Sequence, residues 1–71
     1  MKRQSVESSN LASIGYDAVN KILEVEFNHG GLYQYFDVPK NEYNALMNAD
    51  SHGRYFDRNI KKAGYRFVKI A

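Results

Sequence analysis

The run Leu32-Tyr33-Gln34-Tyr35-Phe36, entered through Gly30-Gly31 and closed by Val38-Pro39, constrains this chain more than any other stretch. Aromatic residues held between paired glycines and a proline form a short strand and little else. Ahead of it, Ile22 to Phe27 alternates, with Leu23, Val25 and Phe27 on one face and Glu24 and Glu26 on the other. The two strands make a hairpin whose register sets the direction of the tyrosines. A three-residue loop, Asn28-His29-Gly30, pairs Val25 with Tyr33 and Leu23 with Tyr35, and turns both tyrosines toward the core. A two-residue loop would bury Gln34 without an evident partner, so the first register is expected. It leaves Ile22, Leu32 and Phe36 on the outer face, a partly apolar patch that calls for a cover or a partner.

The remaining elements follow from this hairpin. Residues 1–10 are polar and without period, and are expected to form a flexible N-terminal arm ahead of a single domain over residues 11–71. Leu11 to Asp17 alternates as a strand, and Asp17 to Lys21 turns the chain. Pro39 suits the first turn of a helix running to about Ala49, with Tyr43, Leu46 and Met47 as its buried stripe. Asp50 or Ser51 caps a second helix from about His52 to Lys62, which buries Phe56 and Ile60 and stops at Ala63-Gly64. Tyr65 to Ile70 is β-favouring. The expected fold is α+β: a three-stranded antiparallel meander, two short helices packed on one face, and room for a fourth strand at the C-terminus.

A chain of 71 residues buries only roughly 60% of its unfolded surface, so bulky side chains must supply the core. Six tyrosines and four phenylalanines do so. There is no cysteine, which excludes disulfides and thiolate metal sites and fits a reducing cytoplasm. Met1-Lys2-Arg3-Gln4 leads into the polar Ser5 to Asn10 and not an apolar core, so no signal peptide is expected. The longest apolar run is far short of a membrane span. The net charge of +2 hides an asymmetry: residues 52–71 carry Arg54, Arg58, Lys61, Lys62, Arg66 and Lys69 against Asp57 alone.

Ser8-Ser9-Asn10-Leu11-Ala12-Ser13-Ile14-Gly15-Tyr16-Asp17, Leu23 to Phe27, Tyr33-Gln34-Tyr35, Val38-Pro39, Gly53-Arg54-Tyr55-Phe56 and Ile60-Lys61, in this order, resemble the KTSC domain. That small family is named after the C-terminus of some lysyl-tRNA synthetases and also occurs as short bacterial or phage proteins. The resemblance covers about residues 6 to 67. It implies a stand-alone α+β domain of unknown function, with Tyr33 and Tyr35 as its Tyr-x-Tyr motif, and RNA binding suggested by the synthetase context.

Read as α-helix, Arg54, Arg58, Lys61 and Lys62 fall at i, i+4, i+7 and i+8, a basic stripe that Arg66 and Lys69 extend. Such a stripe tracks phosphates, or is simply a solvated face supported by Asp57 and Lys61. Tyr55 and Tyr65, each beside an arginine, are candidates to stack on bases. The leading expectation is a non-catalytic module that binds RNA or single strands. The alternative is a protein-interaction or self-association module using Ile22, Leu32 and Phe36. Glu24 and Glu26, about 7 Å apart on one strand face, have a spacing that some hydrolases use, but a solvent-facing acidic edge accounts for them. His29 and His52 lack ligand-spaced companions, and Gly30-Gly31 belongs to a hairpin. No metal, cofactor or catalytic constellation is expected.

Overall fold

The computed structural model describes the whole chain, Met1–Ala71. A five-stranded antiparallel sheet runs in chain order: β1 (Arg3–Ser5), β2 (Leu11–Asp17), β3 (Ile22–Phe27), β4 (Leu32–Tyr35) and β5 (Phe67–Lys69). Between β4 and β5 lie α1 (Lys40–Asn48) and α2 (His52–Tyr55), the latter continuing into a π turn over Phe56–Ile60 and a 3-10 turn over Lys61–Ala63. The α+β class and the C-terminal strand agree with the sequence reading. The strand count does not, because residues expected to form a loose arm include a fifth strand. Arg3–Ser5 pairs with Gly15–Ser13 of β2. Its three residues are all polar and on the exposed side, so no hydrophobic alternation marks it.

The central hairpin adopts the three-residue loop. Gly30 N–H donates to Phe27 O and Phe27 N–H to Gly31 O, each at 3.0 Å, with Gly30 and Gly31 at φ of 102° and 100°. Val25 faces Tyr33 and Leu23 faces Tyr35. The inner sheet face thus carries Ile14, Leu23, Val25 and Tyr35, which pack with Val38 and with Leu46, Phe56 and Ile60 of the helical segment. A bulge between Leu11 and Ser13 inserts one residue and returns Leu11 to the core side while Ser13 stays outside.

The helices follow the expected pattern of burial. Leu46 is fully buried, and Tyr43 and Met47 are partly so. Tyr43 stacks on Tyr16 at 4.6 Å, and the Tyr16 hydroxyl donates to Val38 O. Ser51 is the cap of α2, its hydroxyl accepting from Arg54 N–H at 3.2 Å. Gly64, at φ 86°, ends the segment in the left-handed conformation. No helix is long and apolar enough to cross a membrane.

Candidate functional site

Helices cover one end of the inner sheet face and leave the other open. The opening is a cleft of about 470 Å³ lined by Asn10, Phe27, His29, Tyr33, Tyr35, Phe56, Asp57, Lys61 and Phe67. Tyr35 and Phe56 are buried and form its floor, with ring centroids 5.3 Å apart in an edge-to-face arrangement. Phe67, 54% exposed, rises on the β5 side and stacks on Tyr35 at 5.3 Å. Phe27 meets Tyr33 and Phe56 edge-on and carries the His29 ring stacked at 5.6 Å. Asp57, Lys61 and His29 are exposed at the rim. Tyr16, Tyr55 and Tyr65 have their hydroxyls tied to protein acceptors, whereas no intramolecular bond holds those of Tyr33 and Tyr35. Burial raises the pKa of Tyr35, keeping it a neutral donor.

The expected basic stripe is divided in the structure. A π turn accommodates an extra residue: Lys61 N–H bonds to Phe56 O, five residues back. The α spacing of the sequence reading therefore fails beyond Phe56. Arg54 and Arg58 border one shallow depression with Ser51, Tyr55 and Asn59. Lys61 turns instead to the aromatic cleft beside Asp57. Lys62 is exposed on the 3-10 turn. Lys69 pairs across from Tyr33 on the inner face, while the Arg66 guanidinium lies 4.9 Å from the centre of the Phe36 ring on the outer face. Asp57 and Lys61 make no ion pair, since the chain's one salt bridge joins Arg3 to Glu24.

Tyr55 and Tyr65 are half-buried, and both donate their hydroxyls to the Glu42 carboxylate of α1. They tie α1 to α2 and to the chain that follows Gly64. The Glu42 hydrogen bond, helped by burial and the carboxylate's charge, pushes the Tyr55 hydroxyl up to about 12. Burial first, and the Glu42 bond second, raise Tyr65.

On the outer face, Glu24 corrects the expectation of a solvent-facing acidic edge, for it is only 6% exposed. The covering side chain is Arg3, which lies flat over Gly15; a methyl group there would sit 3.0 Å from the arginine stem. Arg3 donates to Glu24 at 2.5 Å and to Ser13 at 2.9 Å, and Gln34 donates to the other Glu24 oxygen at 2.9 Å. Burial acts to raise the Glu24 pKa, but the bonds from Gln34 and Arg3 with the Arg3 charge outweigh it and leave it lowered. Ser13 in turn donates to Glu26 at 2.9 Å. Both carboxylates are thus engaged in a structural network. This polar row separates Leu32 from Ile22 and Phe36, all half-buried, and exposed Val68 and Ile70 extend the apolar surface on the β5 side.

Three stretches of the chain meet at Asn10. Ser8 accepts from the Asn10 and Leu11 N–H groups and donates to Asn10 Oδ1, and Asn28 holds both Ser8 O and Asn10 O. Gly53 packs so closely on this turn that a Cβ would lie 1.9 Å from Asn10 Oδ1. His52 Nδ1 lies 2.9 Å from Leu46 O, away from the cleft lining. The sequence reading singled out Lys61 and the two core tyrosines, but not Asn10, Phe27, His29, Phe56, Asp57 or Phe67 as one site. The signal available was the charge and aromaticity of Phe56-Asp57 and Lys61 beside that of Phe67.

Comparison with known proteins agrees with this architecture. The chain is 49% identical to an uncharacterized protein of Stutzerimonas stutzeri over 70 residues, covering 99% of both. It is 36% identical over 65 residues to a lysine–tRNA ligase of Nostoc punctiforme, spanning 92% of this chain and 11% of the ligase. A crystal structure of a KTSC domain protein from Yersinia pestis superposes with a TM-score of 0.93 at 44% identity, covering 99% of this chain and 97% of that one. The KTSC domain model matches residues 7–65, and with fold and sequence in accord, this chain belongs to the KTSC domain family.

Proposed function

We propose that this domain is a small non-catalytic module that binds RNA or other single-stranded nucleic acid. The observation that carries the reading is the state of the cations in residues 52–71. Arg54, Arg58, Lys61, Lys62, Arg66 and Lys69 are all exposed, and none forms an ion pair. Unpaired cations next to accessible rings are what a single strand needs, phosphates being held by charge and bases by stacking. The attachment of a similar domain to a lysine–tRNA ligase, a tRNA-handling enzyme, supports the same reading. Arg54 and Arg58 contact phosphates on one side of the helical segment, with Lys62 following at its end, while Lys61 faces the aromatic cleft.

Anisotropy titration of a labelled RNA oligonucleotide at several salt concentrations tests this. Replacing Arg58 and Lys62 with alanine is expected to weaken binding and to reduce the salt slope by about 0.7 per lost phosphate contact. Unchanged affinity in the double variant removes this face from the reading. Absence of binding by the unaltered domain to any single strand removes the reading itself.

The second reading is an interaction module for protein or a second copy of the chain. Exposed Val68 and Ile70 beside Leu32 favour it. A concentration-independent monomer in sedimentation would dismiss its self-association form.

A further inference from the structure

We infer that the aromatic cleft is a pocket for one unstacked nucleobase, with guanine preferred, which deepens the single-strand reading above and rests on it for the source of the base. Its volume of about 470 Å³ lies within the range of small-molecule sites and suits one nucleotide rather than a run of them. The lining is four phenylalanine or tyrosine rings of the sheet and one of the helical segment, with Asn10, His29, Asp57 and Lys61 completing it. Phe67 is the ring that offers a free face: it leans on Tyr35 on one side and is 54% exposed. A planar ring sliding against Phe67 meets Tyr33 and Phe27 at its edge.

The rim chooses among bases. Asp57 is an acceptor with no cation paired to it, and it lines the cleft on the helical side. A carboxylate there repels a phosphate and welcomes two adjacent N–H donors. Guanine presents such a pair, its ring N–H and exocyclic amine, together with a carbonyl oxygen and a ring nitrogen as acceptors. Lys61 and Asn10 on the same rim supply donors for those acceptors, and the Tyr33 and Tyr35 hydroxyls are uncommitted. Uracil and cytosine fill less of the aromatic floor, and adenine offers its lone amine beside an acceptor rather than a second donor. The wide turn over Phe56–Ile60 makes the pairing available, because it brings Lys61 to the cleft beside Asp57.

The test is a two-dimensional NMR titration of the intact chain with the four nucleoside monophosphates, and with a short oligouridine and its single-guanosine variant. Guanosine monophosphate is expected to shift Asn10, His29, Asp57, Lys61 and Phe67, with the other three binding several-fold more weakly. Phe67→Ala should weaken the guanine nucleotide by roughly ten-fold, the scale of one stacking contact. Asp57→Asn, which keeps size and shape, should erase the preference for guanine while leaving stacking in place. Spectra of both variants report directly whether the fold is kept, and if Phe67→Ala loses it, Phe67→Leu carries the same test. The pocket is overturned if no mononucleotide shifts the cleft while oligouridine still binds along Arg54 and Arg58, an outcome that spares the single-strand reading. Binding of the guanine nucleotide without binding of any oligonucleotide upholds the pocket and removes the strand as its source. Equal response to all four bases, or a preference that survives Asp57→Asn, overturns the assignment of guanine.

Discussion

Gly53 illustrates how much one side chain, or its absence, decides here. Its Cα lies against the Asn10 carboxamide so closely that a Cβ would fall inside the oxygen, at 1.9 Å. Gly53→Ala is therefore expected to cost about 1–3 kcal/mol, the range of a forced overpacking, and chemical denaturation measures it. Asn10→Gly in the same chain should restore part of the loss, because it removes the atom in the way. Glu42 makes a second residue-scale prediction. A Tyr55 hydroxyl held up to about 12 in the folded chain, against about 10 when unfolded, stabilises fully below pH 10. That contribution disappears as the pH rises through 12. Phenolate absorbance should therefore show Tyr55 ionising late in the native protein, and Glu42→Gln should bring its titration back toward the ordinary range.

At the scale of elements, β1 depends on what it covers. Nothing in Arg3-Gln4-Ser5 announces a strand, since all three residues are polar and no apolar alternation marks them. The strand is specified across the sheet, by a glycine that leaves room for the arginine stem and a carboxylate that receives its head. Arg3→Ala should destabilise the domain by about 1–2 kcal/mol at neutral pH, the low side of a buried-carboxylate loss because the Arg3 side chain is 31% exposed. Glu24 has a lowered pKa, so its contribution is present above the unfolded carboxylate range and is lost as pH falls through the folded value. Without Arg3, burial opposes the charge more freely. The stability gap between variant and parent should accordingly narrow on acidification, as urea melts at several pH values would show. The hairpin was legible where β1 was not, because only one of its two registers keeps Gln34 out of the core. Tyr43, Leu46 and Met47 were legible for the same kind of reason, their spacing leaving one apolar face. The basic stripe was misplaced because sequence spacing carries no sign of a π turn.

For the whole molecule, α+β class, helix order and the last strand could be read from alternation, caps and glycines. The cleft could not, since its rings come from β3, β4, β5 and the segment after α2, which only the closed sheet brings together. Strand order equals chain order, and this has a kinetic meaning. The ladders β1/β2, β2/β3 and β3/β4 join close neighbours along the chain and close small loops. The β4/β5 ladder must instead enclose the entire helical segment before Tyr35 can meet Phe67, a costlier closure that contact-order reasoning puts late. β5 is also a three-residue edge strand with every side chain exposed, so it belongs to the part of the fold that opens first. One wall of the cleft is thus the last piece assembled and the first released, and any occupant resting on Phe67 would act as a latch that holds the sheet closed.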